Sequence, residues 1–138
     1  MADKLDFIDT HHHLWDLEKF EYAWLMKNDP EEEEVLGDYA DIRKTYLVTD
    51  FINDLKGSNV AKSVHLQANY SGPDNVEETE WISEASDKYE FPHGIIAFTD
   101  LMSDSAEAEL DRHCEYSKMK GVRTFYTGEQ LLDKKFNK

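Results

Sequence analysis

Four short apolar runs spaced along the chain constrain its fold more than any other feature of the sequence. They fall at residues 5–9 (LDFID), 60–68 (VAKSVHLQA), 94–99 (GIIAFT) and 122–125 (VRTF). Each has the length and content of a buried strand, and each is bounded by polar or turn-forming residues. The stretches between them carry helical patterns. Thr49 is placed as an N-cap for a helix in which Phe51, Ile52 and Leu55 share a face and Gly57 supplies a left-handed stop. Val76, Trp81, Ile82, Ala85 and Tyr89 recur at helical spacing after the turn Ser71-Gly72-Pro73, and Pro92 breaks that helix. Over residues 103–119, Ala106, Leu110 and Cys114 fall every fourth residue, and Gly121 is read as the stop. Residues 14–46, with scattered aromatics, Pro30 and an acidic run, show no period and read as a long, partly packed loop.

The order is therefore βαβαβαβ, an α/β chain whose strands are expected to be parallel and joined by right-handed crossovers. Periodicity alone does not separate an open doubly wound sheet from a barrel. No Gly-rich phosphate loop follows the first strand, where a nucleotide-binding fold places it, so nucleotide binding is set aside.

Composition narrows the partners. Seven Tyr, seven Phe and three Trp in 138 residues indicate a packed core, and the whole chain is expected to form a single domain. A formal net charge of -15 repels phosphate backbones and anionic headgroups, so neither nucleic acid nor a membrane surface is expected as a partner. The single cysteine, Cys114, has no intramolecular partner for a disulfide. No leader-like segment is evident, and no apolar stretch approaches the roughly 20 residues that span a bilayer. A soluble protein of the reducing cytoplasm is expected.

The residues that carry chemistry gather where the strands end, which is where parallel α/β folds bind ligands. His11, His12 and His13 follow the first strand. On extended backbone His11 and His13 point together while His12 points away. Two imidazoles on one face supply two of the three or so protein ligands of a catalytic zinc, or else serve as hydrogen-bonded loop histidines. Gln67 and Asn69, at the end of the second strand, either orient a substrate carbonyl or hydroxyl or satisfy loop backbone groups. Arg123, within the fourth run, needs an anion or carbonyls, either a substrate carboxylate or an internal partner. Asp100 is assigned to capping and turn duty, His65 and His93 to structural hydrogen bonding, and residues 31–34 (EEEE) to a solvated acidic face.

Residues 7–16 (FIDTHHHLWD), followed by Tyr22-Ala23-Trp24-Leu25, resemble the opening of the amidohydrolase-related family, in particular its lactonase-like branch, which starts IDxHxHxWD before a YxWL element. Further along, Val64-His65-Leu66-Gln67-Ala68 is similar to that branch's VxVQA strand, Phe98-Thr99-Asp100-Leu101 to its third strand end, and Gly121-Val122-Arg123 to its GxR strand. The resemblance covers nearly the whole chain.

What the resemblance implies is the first half, about four βα units, of a (β/α)8 TIM barrel. It further implies a hydrolase of small lactone or amide-like carbonyl substrates, with decarboxylation as the alternative reaction. His11 and His13 are then ligands of a divalent metal, zinc being the expected ion, which activates water. The branch also includes a lactonase that works without a divalent metal, in which case the histidines bind substrate. A complete barrel takes on the order of 250 residues, so later ligands and the general base fall outside this chain, which is expected to be truncated after the fourth strand and inactive alone. A half barrel leaves two open edges, through which self-association is expected. A non-catalytic relative acting by association is the rival reading.

Overall fold

The computed structural model describes residues 5–27 and 30–126. Four strands, β1 (Phe7–His12), β2 (Val60–Leu66), β3 (Gly94–Ala97) and β4 (Met119–Val122), form one sheet in the order β1-β2-β3-β4. All three neighbouring pairs are parallel. The α/β reading with parallel strands holds. Because spatial order follows chain order, the sheet has no reversal point of the kind doubly wound folds use to bind nucleotides.

Helices α1 (Ala23–Met26), α2 (Pro30–Leu36), α3 (Val48–Asp54), α4 (Val76–Tyr89) and α5 (Ala106–Cys114) complete the described structure, with a single 3-10 turn at Ala40–Ile42. The core forms where α3 and α4 meet one sheet face: Leu14, Val48, Phe51, Ile82 and Ile95 pack together, with Trp81, Ala85 and Met119 at the margin. Strand alternation puts Val64, Leu66 and Ile96 on the opposite face, where they are half-buried. The registers Val64↔Gly94 and Ile96↔Gly121 place a glycine beside each of two branched side chains there.

Four expectations are corrected. The first strand runs on through His11 and His12, because His12 pairs in register with His65 and its ring stacks on Phe51, 4.0 Å between centroids. The segment expected as loop over 14–46 holds α1, α2 and the 3-10 turn, tied down by a two-way backbone bridge between Trp15 and Tyr46 and by the Trp15 indole donating to Lys44 O at 2.6 Å. Helix α3 begins at Val48 rather than after Thr49, since Asp50 Oδ2 accepts the Leu47 amide at 2.8 Å and fixes the start two residues earlier. Gly121 lies inside β4 rather than ending a helix, and α5 stops at Cys114. By contrast, Gly57 does adopt the left-handed conformation read from the sequence, with φ 86°. Among the described residues no helix is long and apolar enough to cross a membrane.

Ile82 is fully buried in the α3/α4 core, whereas Ile8 on the edge strand is 59% exposed. Ile82→Ala is expected to cost about 2–5 kcal/mol in urea unfolding, while Ile8→Ala is expected to stay within about 1 kcal/mol.

Candidate functional site

The ends of β1 and β2 and the residues after β4 converge on one cavity of about 460 Å³. It is lined by His13, Gln67, Asn69 and Arg123, with Trp24 of α1, Glu32, Val35 and Leu36 of α2, Ala68 and Phe125. Four of the five residues singled out from the sequence thus share one hollow. The fifth, His11, adjoins it through Arg123, whose Nη1 stands 3.4 Å from His11 Nε2.

Arg123 is held from several sides. Its backbone N–H donates to Ala97 O at 2.8 Å, extending the β3–β4 pairing one residue past the strand. Its Nη2 donates to Gln67 O at 2.9 Å, and the guanidinium carbon lies 4.6 Å from the Phe125 ring centroid. Its Nε is buried with no partner, and among the described residues no carboxylate forms an ion pair with it. The guanidinium is thus fixed, with one buried donor left unpaired.

The His13 Nδ1 lies 2.9 Å from Leu66 O and can only donate there, which puts the lone pair of the neutral ring on Nε2. Burial holds its pKa below the usual histidine value, and the nearby Arg123 charge adds to that effect. The His11 and His13 rings meet edge to face with centroids 5.1 Å apart. His12 faces the helix layer instead, its Nε2 3.0 Å from Ser63 Oγ, and burial lowers it to about 4, so it stays neutral at physiological pH.

Gln67 is fully buried. Its Oε1 accepts the Asn69 backbone N–H at 2.6 Å, leaving its Nε2 donor without a partner. The side chain thus braces the loop with its oxygen, while its buried amide nitrogen has no partner. Asn69 turns the chain at φ 57°, a left-handed conformation that Asn tolerates better than most residues.

Whether this donor set fits a divalent ion turns on Arg123. A guanidinium 3.4 Å from His11 Nε2 donates to that lone pair and repels a cation approaching it. Among the described residues no three His, Cys, Asp or Glu side chains gather as a metal set. His13 Nε2 keeps a lone pair that can accept a hydrogen bond or ligate a cation, whereas His11 Nε2 stands against the guanidinium.

The remaining sequence assignments fall away from the cavity. His65 is fully buried, and its Nδ1 accepts from the Leu14 amide at 3.3 Å. His93 Nδ1 accepts from the Ser63 amide, and Asp100 Oδ1 accepts the Met102 amide in a turn. Glu33 and Glu34 are exposed, but Glu32 of the same acidic run lines the cavity.

Sequence reading missed three residues. Glu78 is 4% exposed, and its Oε1 accepts from Tyr22 OH at 2.9 Å and from the Ala68 amide at 3.2 Å. Trp24 Nε1 donates to Ala68 O at 2.8 Å. His113 is fully buried, bridging Thr79 Oγ1 at 3.0 Å and Phe98 O at 3.1 Å, and so joins α4, α5 and β3. Glu78 had a signal: it lies four residues before Ile82 on the buried stripe of α4, where a carboxylate must find donors.

Burial pushes Glu78 up to about 7, with the Tyr22 hydroxyl and Ala68 amide pulling the other way. A raised pKa means that the folded state holds its proton more tightly than the unfolded chain. That contribution is complete below the ordinary value of 4.5 and is lost as pH rises to about 7. Glu78→Gln keeps an acceptor oxygen without the charge. Its stability relative to wild type, from urea unfolding, is therefore expected to rise between pH 4.5 and 7 and level off above, by on the order of 3 kcal/mol.

No family model matches the chain, and no solved structure matches it. It is similar to the uncharacterized protein y4mH of Sinorhizobium fredii, at 40% identity over 123 residues that take in 89% of this chain. The chain spans about 40% of the length of that curated relative.

Proposed function

We propose that this chain is the substrate-binding half of a hydrolase of the amidohydrolase-related family, acting on a small lactone or amide-like carbonyl compound that carries a carboxylate. The observation that carries the reading is the common cavity of Arg123, His13, Gln67 and Asn69 at the C-terminal ends of parallel strands. Its supporting feature is the strand order β1-β2-β3-β4, the order in which a (β/α)8 barrel adds its units.

In this reading Arg123 clamps the carboxylate, the unpartnered Gln67 Nε2 donates to a substrate oxygen, and Asn69 shapes the turn beside it. His11 and His13 then serve the substrate rather than a metal. His13, neutral with its lone pair on Nε2, accepts a hydrogen bond from a hydroxyl or from the attacking water. Hydrolysis adds water to the carbonyl, and the general base for that step is assigned to no described residue. A divalent ion joins the site only if a longer chain or a partner supplies further ligands. The single exposed thiol of Cys114 fits a reducing cytoplasm.

A second reading, action through association, is favoured by the apolar side chains at the sheet edges. Leu5, Phe7 and Ile8 at β1 are 59–76% exposed, and Phe125 beyond β4 is 61% exposed. Light scattering over a concentration series checks it, with a mass that grows toward a dimer as the expected result.

The test of the first reading is calorimetric titration with benzoate and with benzamide, its uncharged counterpart. Wild type is expected to bind benzoate about 10–100-fold more tightly, the range of a charge-assisted pair. Arg123→Ala is expected to remove the difference, and equal binding of the two probes by wild type contradicts the reading. Metal analysis of wild type against His11→Ala/His13→Ala is expected to show no stoichiometric zinc lost in the variant.

A further inference from the structure

The cavity has two walls of different origin, and the backbone of one residue joins them. Trp24 belongs to α1, which follows the first strand by ten residues, while Gln67 and Asn69 belong to the end of β2. Between them lies Ala68, 3% exposed, whose carbonyl accepts from the Trp24 indole and whose amide donates to Glu78 Oε1. The same Glu78 oxygen takes the hydroxyl of Tyr22, two residues before Trp24. Next to Ala68, the Gln67 carbonyl accepts from Arg123 Nη2.

We infer that Glu78 is a positioning residue for the carboxylate cavity: by holding Tyr22 and the Ala68 amide on one oxygen, it sets where Trp24 and the Gln67 carbonyl stand, and through that carbonyl where Arg123 points. This rests on the carboxylate reading proposed above. Glu78 is not itself among the lining residues; it is buried and reaches the cavity through the amide of Ala68, which is one of them. A purely structural carboxylate would tie the helix to the sheet at any point. This one instead ties both walls of one hollow, and its charge is felt at Arg123.

The charged and titratable groups around Glu78 are Tyr22 and Tyr70 from the segments flanking it and Arg123 from beyond β4. Burial raises both tyrosines, Tyr70 to about 12, so they stay neutral donors throughout the accessible range. The acceptor oxygen of Glu78 is therefore the element to vary.

Three variants of the full chain separate the roles. Glu78→Gln keeps an acceptor oxygen at the same reach, Glu78→Leu keeps bulk without an acceptor, and Glu78→Asp withdraws the carboxylate by one methylene. Benzoate affinity is read by calorimetry, and hydrogen exchange of the Trp24 indole N–H, assigned with Trp24→Phe, reads the wall itself. The leucine variant is expected to lose about tenfold in affinity and to expose the indole N–H to exchange, with glutamine within about twofold of wild type on both readouts. If the leucine variant does not fold, the aspartate variant decides, with a several-fold loss expected. Wild-type affinity and protection in the leucine or aspartate variant overturn the inference, as does a glutamine variant that falls as far as leucine. If wild type itself does not bind benzoate, the carboxylate reading fails, and indole exchange in the unliganded variants still decides the role of Glu78.

Discussion

The backbone of Ala68 is the joint on which the strand ends depend. A parallel sheet delivers its strand termini to one edge but leaves their last carbonyls and amides unpaired, and buried backbone groups of that kind must find partners. Here the partners come from outside the sheet. Trp24 takes the carbonyl of Ala68, Glu78 takes its amide, and Arg123 takes the neighbouring carbonyl of Gln67. Satisfying the end of β2 therefore brings an indole, a carboxylate and a guanidinium to one place, and the cavity results from how those three side chains reach it.

The electrostatics follow from that arrangement. In a chain of net charge -15, a half-buried guanidinium without a carboxylate partner among the described residues stands out from its surroundings. His13 beside it is kept neutral by burial and by the same positive charge, and its proton is fixed on Nδ1 by Leu66 O. Of the two histidines read as metal ligands, His11 has its Nε2 next to that guanidinium.

Much of the fold was legible because it rests on periodicity. Three strands and the parallel order of the sheet, the bounds of α4 at Val76 and Tyr89, and the left-handed Gly57 follow from apolar spacing and turn chemistry, whereas the fourth strand, expected at 122–125, lies at Met119–Val122. The histidines hid the true end of β1, because hydrogen bonding and stacking allow polar residues to continue a strand that hydropathy would stop. Gly121 carried two meanings, a helix stop or a small residue beside Ile96, and only the sheet register separates them. Of the site, His13, Gln67, Asn69 and Arg123 were named from their place at strand ends. Trp24 and Glu78 were not assigned to it, since their roles depend on a contact with Ala68 more than 40 residues away for the one and on the burial of a charged side chain for the other.

The account stands on Arg123 clamping an anion beside a neutral His13, and nitrogen-15 magnetic resonance of labelled arginine and histidine during benzoate addition tests this most directly. The account predicts His13 protonated on Nδ1 before addition, and an Arg123 Nε–H resonance that shifts saturably as benzoate is added. An Arg123 resonance indifferent to benzoate, or a His13 ring protonated on Nε2 instead, would contradict it.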